Sequence, residues 1–201
     1  MIAAEQRRPD VARKRTHFQI ARRFVPAESF VFLDESSAKT HMTRLYGWGR
    51  GGQRVVEPDP HRHWHTTTML AAIRLDGVIP NACLSFPGAI DGDLFRFYIQ
   101  DMLAPSLRPG DVVVMDNLAA HKVRGVERAI READAELWYL PAYSPDFNPI
   151  EQMWSKAKAL IRKAEARCEE SLVRAIGQAL RAVTPQDVYG FFKDAGYATG
   201  T

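Results

Sequence analysis

The sequence predicts an α/β fold in which a mixed central sheet of about five strands is flanked by helices. Three observations carry that reading. Apolar runs and segments of helical periodicity follow one another in the order βββαβαβααα. Two of the runs, Phe30 to Leu33 and Val112 to Met115, lack polar alternation, as strands buried on both faces do. Asp76-Gly77 lies between two further strand-like runs, a strong hairpin signal.

The elements follow in order. Pro9 to Phe24 has good helix formers and stops before Pro26. Phe30-Val31-Phe32-Leu33 reads as a buried strand that ends on Asp34 and delivers its carboxylate there. Gly47 to Gly52, holding Trp48 and Arg50, reads as a turn or mobile loop. Thr66 to Leu75 and Val78 to Phe86 form the hairpin, and Asp93 to Leu103 a helix closed by Pro105. Val112 to Met115 is a strand ending on Asp116, His121 to Ala133 a helix, and Glu136 to Leu140 a short strand. After the Pro-rich loop from Pro141 to Pro149, Ile150, Trp154, Ala157 and Ile161 share one helical face. Helices over about Glu169 to Val183 and Pro185 to Ala195 complete the chain.

With 201 residues, 46% hydrophobic and 25% charged, the chain suits one folded domain with a short appendage. No apolar run approaches the roughly 20 residues of a membrane span, so a cytoplasmic protein without a membrane partner is expected. Cys83 and Cys168 lack metal or disulfide spacing and are expected to be reduced and buried. The net charge is only +3, but the basic residues cluster. Residues 1–25 hold seven Arg and Lys against Glu5 and Asp10, and Lys156, Lys158, Arg162 and Lys163 form a second group. Each cluster is either a solvated helix face or a polyanion-binding stripe.

Three acids stand out by position. Asp34 and Asp116 each follow four apolar strand residues, and ligands of open α/β sheets gather at the carboxyl ends of strands. Glu151 opens the helix after Asn148-Pro149, where it could face the same rim. It also falls at the third helical position, where a capping-box glutamate belongs with Asn148 as N-cap. Converging carboxylates repel one another unless hard cations neutralise them, which suits magnesium or manganese. Two such ions about 3.5 to 4 Å apart can clamp a scissile phosphate, with no nucleophilic side chain required. His61, His63 and His65 alternate and could converge on zinc if they lay on a strand, although a surface or DNA-facing role is favoured.

Leu33-Asp34-Glu35, Val113 to Asn117 followed by His121-Lys122, and Tyr143-Ser144-Pro145-Asp146-Phe147-Asn148-Pro149-Ile150-Glu151 with Trp154 and Lys158 resemble the transposases of the mariner superfamily, nearest its bacterial insertion-sequence 630 branch. The likeness runs from about Pro9 to Tyr197 and includes Arg44-Leu45-Tyr46-Gly47 and Gly196-Tyr197. It implies a ribonuclease H-like catalytic domain over residues 29–201 after a basic linker or lead-in helix at 1–28. It further implies a DDE endonuclease that cleaves and transfers DNA strands by direct phosphoryl transfer, with Asp34, Asp116 and Glu151 as catalytic, metal-binding residues for two magnesium or manganese ions. Thirty-four residues separate the last two acids.

Asn117, His121 and Asn148 fall beside the triad, and Lys156, Lys158, Arg162, Lys163, Trp48 and Arg50 are candidate DNA contacts. The partners implied are transposon-end and target DNA and a second copy of the chain in a homodimer, which places the protein at the nucleoid. Only 33 residues precede Asp34. They match a linker to a helix-turn-helix region, so a separate N-terminal helix-turn-helix chain is a further expected partner. The competing readings are a truncated, non-catalytic DNA-binding remnant and a structure-selective nuclease of the ribonuclease H type.

Overall fold

The computed structural model of the chain describes residues 4–44, 46–54, 56, 64–117 and 123–198. Strands β1 (Phe30–Lys39), β2 (Thr66–Arg74), β3 (Gly77–Pro87), β4 (Val112–Met115) and β5 (Glu136–Tyr139) form one sheet in the order β3-β2-β1-β4-β5. β1 is antiparallel to β2 and parallel to β4, β2 and β3 form the expected hairpin, and β4 and β5 run parallel. The sheet is therefore mixed, as its apolar runs predict. At the hairpin, Gly77 takes φ 141, a backbone value that side-chain-bearing residues rarely adopt.

Helices α1 (Pro9–Ala21), α2 (Gly92–Phe97), α3 (Val126–Glu132), α4 (Pro149–Ala164), α5 (Glu169–Arg181) and α6 (Pro185–Asp194) cover both faces. Alternation along the strands divides the core in two. Phe30, Phe32, Ala71, Ile73, Val112 and Val114 pack with α4, α5, α6 and Phe18 of α1. Val31, Leu33, Leu70, Ala72, Val113 and Met115 pack beneath α2, its continuation and α3. The predicted α4 stripe, Ile150, Trp154, Ala157 and Ile161, is wholly buried and gains Met153. At roughly 1.5 to 3 kcal/mol for each large apolar side chain removed from water, this stripe anchors the helix. Among the described residues, no helix is long and apolar enough to cross a membrane.

Several expectations need correction. β1 does not stop at Asp34 but continues to Lys39, because β2 offers a partner along its whole length, out to Lys39 opposite Thr66. The helix expected over 93–103 starts at Gly92, capped by the Asp91 side chain, and widens into a π-helical stretch, Tyr98–Leu103. There the Tyr98 hydroxyl donates to the Ala82 carbonyl at 2.7 Å, which satisfies a fully buried phenol. The helix expected from His121 begins only at Val126, after Gly125 at φ 100. Lys122 and His121 lie outside the described residues.

The cysteines are free, but Cys168 is exposed at the N-cap of α5, where its Sγ approaches Ser171 Oγ at 3.3 Å. Cys83 is half-buried, and burial pushes its thiol up to about 11. That keeps it protonated and unreactive at neutral pH.

Candidate active site

The parallel pairing of β1 and β4 sets the site. Phe30 lies opposite Val112 and Phe32 opposite Val114. Carried two residues further, this register would bring Asp34 of β1 level with Asp116, the residue that follows β4, on the sheet face that α4 covers. Asp34 is thus a mid-strand residue, placed where β1 runs on beyond the end of β4. Its position at a carboxyl end, inferred from the apolar run, belongs to β4 instead.

Glu151 approaches from α4. Asn148 is the N-cap and Pro149 the first helical residue, as the sequence predicts, but the Asn148 side chain makes no capping hydrogen bond. The Glu151 amide instead donates to the Asn148 carbonyl at 3.2 Å. A capping box at α4 is therefore absent, and Glu151 is exposed in the first turn of the helix. Asp116, Asn117, Asn148 and Glu151 line one cleft of about 350 Å³, closed on its far side by Leu140 to Pro145.

Asn148 lines this cleft, and its Oδ1 is buried and accepts no hydrogen bond among the described residues. An unsatisfied buried acceptor costs about 1 to 3 kcal/mol, so a polar or cationic occupant would stabilise it. With two carboxylates on the same cleft, the donor set is all oxygen and suits a hard divalent cation. Among the described residues, no three His, Cys, Asp or Glu side chains approach closely enough to hold a metal.

The Tyr143 to Glu151 segment is held by both ends of the chain. Arg15 of α1 donates to Asp146 with two nitrogens, at 2.9 and 2.6 Å, and to Ser144 Oγ at 2.8 Å. Its guanidinium also lies over the Phe147 ring, 4.1 Å from the centroid. Burial alone would raise the Asp146 pKa, but the hydrogen bonds and charge of Arg15 prevail and hold it below the usual carboxylate range.

From the other terminus, the Tyr197 hydroxyl donates to the Phe147 carbonyl at 2.8 Å. Arg22 supports Tyr197 from below, with its guanidinium 4.7 Å from the ring centroid and a hydrogen bond to the Ala195 carbonyl at 2.9 Å. Glycine is favoured at 196. At φ 79, a Cβ on it would meet Arg22 Nη2 at 2.8 Å. Sequence reasoning assigned Asp146, Arg15 and Tyr197 no role, because partners 131 positions apart leave no local periodicity to read. The one available signal was an acid inside a specific motif with no chemical duty.

The remaining candidates are dispersed. Asn117 is exposed and lines both the cleft and a neighbouring groove of about 730 Å³. Arg13, Lys14 and His17 of α1 line that groove opposite Trp138, Leu140 and Pro141. Trp48 is fully exposed and Arg50 exposed on the connection between β1 and β2, and neither is among the residues lining the cleft. His61 and His63 lie outside the described residues, and His65 is exposed, its amide donating to Thr40 Oγ1 at 3.1 Å.

Lys156 of the expected phosphate stripe has a protein partner. Its ammonium pairs with Asp187, which also accepts from the Thr184 amide and hydroxyl at the N-terminus of α6. Lys158, Arg162 and Lys163 are left as the phosphate candidates of α4.

The hydrogen bond from Lys156, then those from Thr184, hold the Asp187 carboxyl at about 2, against an ordinary 3.8. A depressed carboxylate stabilises the fold above its unfolded pKa, and the contribution is lost as pH falls through the folded value. Melting temperature should therefore fall between pH 4 and 2 in the wild type. In Asp187→Asn this part of the acid dependence should vanish, and equal slopes in the two proteins would contradict the ion pair.

A five-strand mixed sheet in this order, with helices on both faces and acids at the β1/β4 junction, defines a ribonuclease H-like α/β domain. Residues 29–173 match the family described as DDE superfamily endonuclease, and the chain belongs to that family. The transposable element Tcb2 transposase of Caenorhabditis briggsae is 29% identical over 85 residues, covering 38% of this chain and 31% of that protein.

Among solved structures, the Mos1 transposase paired-end complex with left transposon end superposes with a TM-score of 0.74 at 16% identity, covering 97% of this chain and 61% of that one. The Mos1 mariner paired end complex with Mn gives 0.73 at 18% identity, over 97% and 62%. The catalytic domain of Mos1 mariner transposase gives 0.66 at 14% identity, over 98% and 94%. At these identities the likeness to Mos1 is one of fold. The chain spans 31% of the Tcb2 protein and 61% of the Mos1 chain in the first complex.

Proposed function

We propose that residues 29–201 are the catalytic domain of a mariner-superfamily DNA transposase, nearest the bacterial insertion-sequence 630 branch, and that residues 1–28 lead into it. In this reading the chain cleaves DNA and transfers strands by phosphoryl transfer at Asp34, Asp116 and Glu151. The observation that carries it is that Asp116, Asn148 and Glu151 line one cleft, beside β1, whose Asp34 lies two residues beyond the Phe32–Val114 pairing.

Magnesium or manganese ions held by the three carboxylates would activate the attacking oxygen and stabilise the leaving one. The protein's own part is to present those carboxylates on rigid elements, two on neighbouring strands and one on a helix fixed by its buried stripe. Asn148 orients polar groups at the cleft, and Asn117 links the cleft to the cationic groove beside it. Transposon-end and target DNA fit that groove, since Arg13, Lys14 and His17 offer phosphate contacts beside an apolar floor. By the same reading the active assembly is a homodimer, and a separate helix-turn-helix chain supplies sequence recognition.

The test is nicking of supercoiled plasmid, expected with magnesium or manganese and abolished by chelation. Failure to nick in any divalent metal, with DNA binding intact, would replace the enzyme by a DNA-binding remnant. The groove has its own signature. Arg13→Ala with Lys14→Ala should weaken binding to unrelated duplexes alike and flatten the log-log salt dependence by about 1 to 2. An unchanged slope would place the DNA elsewhere.

A further inference from the structure

Resting on that reading, we propose that Arg15, acting through Asp146, is a positioning residue that sets Asn148 and Glu151 against Asp116. The pair makes a poor stability device. The Arg15 side chain is 16% exposed but that of Asp146 is 50% exposed, and an ion pair whose carboxylate is half in water contributes modestly to folding. Its geometry is far more demanding than its energy. Two parallel N–H···O bonds fix both distance and angle, and a third bond from Arg15 to Ser144 Oγ ties down the start of the same turn.

From those clamped residues a continuous series of backbone bonds leads into α4. The Phe147 amide donates to the Ser144 carbonyl at 3.0 Å, Asn148 to Pro145 at 3.0 Å, and Glu151 to Asn148 at 3.2 Å. Asn148, Pro149 and Ile150 are all buried, so a displacement of the turn cannot be absorbed before it reaches Glu151. The guanidinium stacked on Phe147 and the Tyr197 hydroxyl on its carbonyl close the remaining directions of movement. Arg15 stands on the same helix as Arg13 and Lys14, which line the groove. A duplex seated on α1 therefore braces the turn that carries the cleft's own ligands.

The test compares wild type with Arg15→Met, which keeps an apolar stem on Phe147, and with the charge exchange Arg15→Asp/Asp146→Arg. Three metal-independent or DNA-independent readouts are used. Melting temperature in Arg15→Met should fall by no more than about 3 °C, since the carboxylate left behind is half in water and the apolar stem is kept. Amide exchange at Phe147, Asn148 and Glu151 should accelerate at least about tenfold without metal. Binding of Mn²⁺ alone, followed by the resonance of the free ion, should weaken by about tenfold or more. The charge exchange should recover both exchange and Mn²⁺ binding in part.

An Arg15→Met protein with wild-type exchange in this turn overturns the proposal. So does one with faster exchange but unaltered Mn²⁺ affinity. If wild type itself binds no Mn²⁺, the metal assignment falls instead. Amide exchange then decides alone whether Arg15 holds the turn.

Discussion

Asp116→Asn is expected to leave a folded protein that has lost plasmid nicking by at least about three orders of magnitude. The loss corresponds to roughly 4 kcal/mol of transition-state stabilisation, within what a correctly held divalent ion contributes. The substitution keeps the size and most of the hydrogen bonding of the side chain but removes the charge that a hard cation needs. Asp116 follows a strand buried on both faces and lines the cleft with Glu151. Its removal should therefore change chemistry rather than packing.

Wild type should gain stability with magnesium or manganese, by about 2.7 kcal/mol at one hundred times the dissociation constant, and the variant should gain much less. A folded Asp116→Asn protein that nicks at the wild-type rate would remove Asp116 from the mechanism. One that unfolds would make it a structural turn residue.

The largest effect on stability is expected at the opposite end of the same strands. Arg74, the last residue of β2, pairs with Asp111, which immediately precedes β4, and both side chains are about 5% exposed. Asp111 also accepts from the Arg108 amide at 2.8 Å, and Arg74 donates to the Ser106 carbonyl at 3.3 Å. Arg74 Nε has no partner, so even the intact pair is incompletely satisfied.

Removing one member leaves a charge buried without compensation, which costs about 3 to 5 kcal/mol. For a domain of this size Arg74→Ala should lower the melting temperature by roughly 6 to 20 °C. Arg74→Met combined with Asp111→Leu should recover most of that loss, because an apolar pair of similar volume needs no desolvation of charge. Nicking per folded molecule, measured well below the transition, should be unchanged in both variants. A single variant that melts with the wild type would show that water reaches the pair.

Much of the architecture follows from the sequence alone. Apolar runs without alternation specified β1 and β4, Asp76-Gly77 the hairpin, and the four- and three-residue spacing of Ile150, Trp154, Ala157 and Ile161 the buried face of α4. These are local signals, set by backbone sterics and by which side chains leave water. They also singled out Asp34, Asp116 and Glu151 by position, and the resemblance to mariner-type transposases supplied the chemistry proposed for them.

Local pattern could not say where β1 ends, because its extension past Asp34 depends on β2, a strand reached only after a long connection. Nor could it separate the two readings of Glu151. A capping glutamate and a cleft-facing one occupy the same helical position, and only the missing side-chain cap on Asn148 distinguishes them. That α6 brings Asp187 against Lys156 was equally out of reach. Arg15 and Tyr197 looked like ordinary residues of a basic helix and a chain end, yet they hold the motif turn. Contacts between residues distant in the chain are created by packing and leave no periodicity in the sequence, so only the tertiary structure decided them.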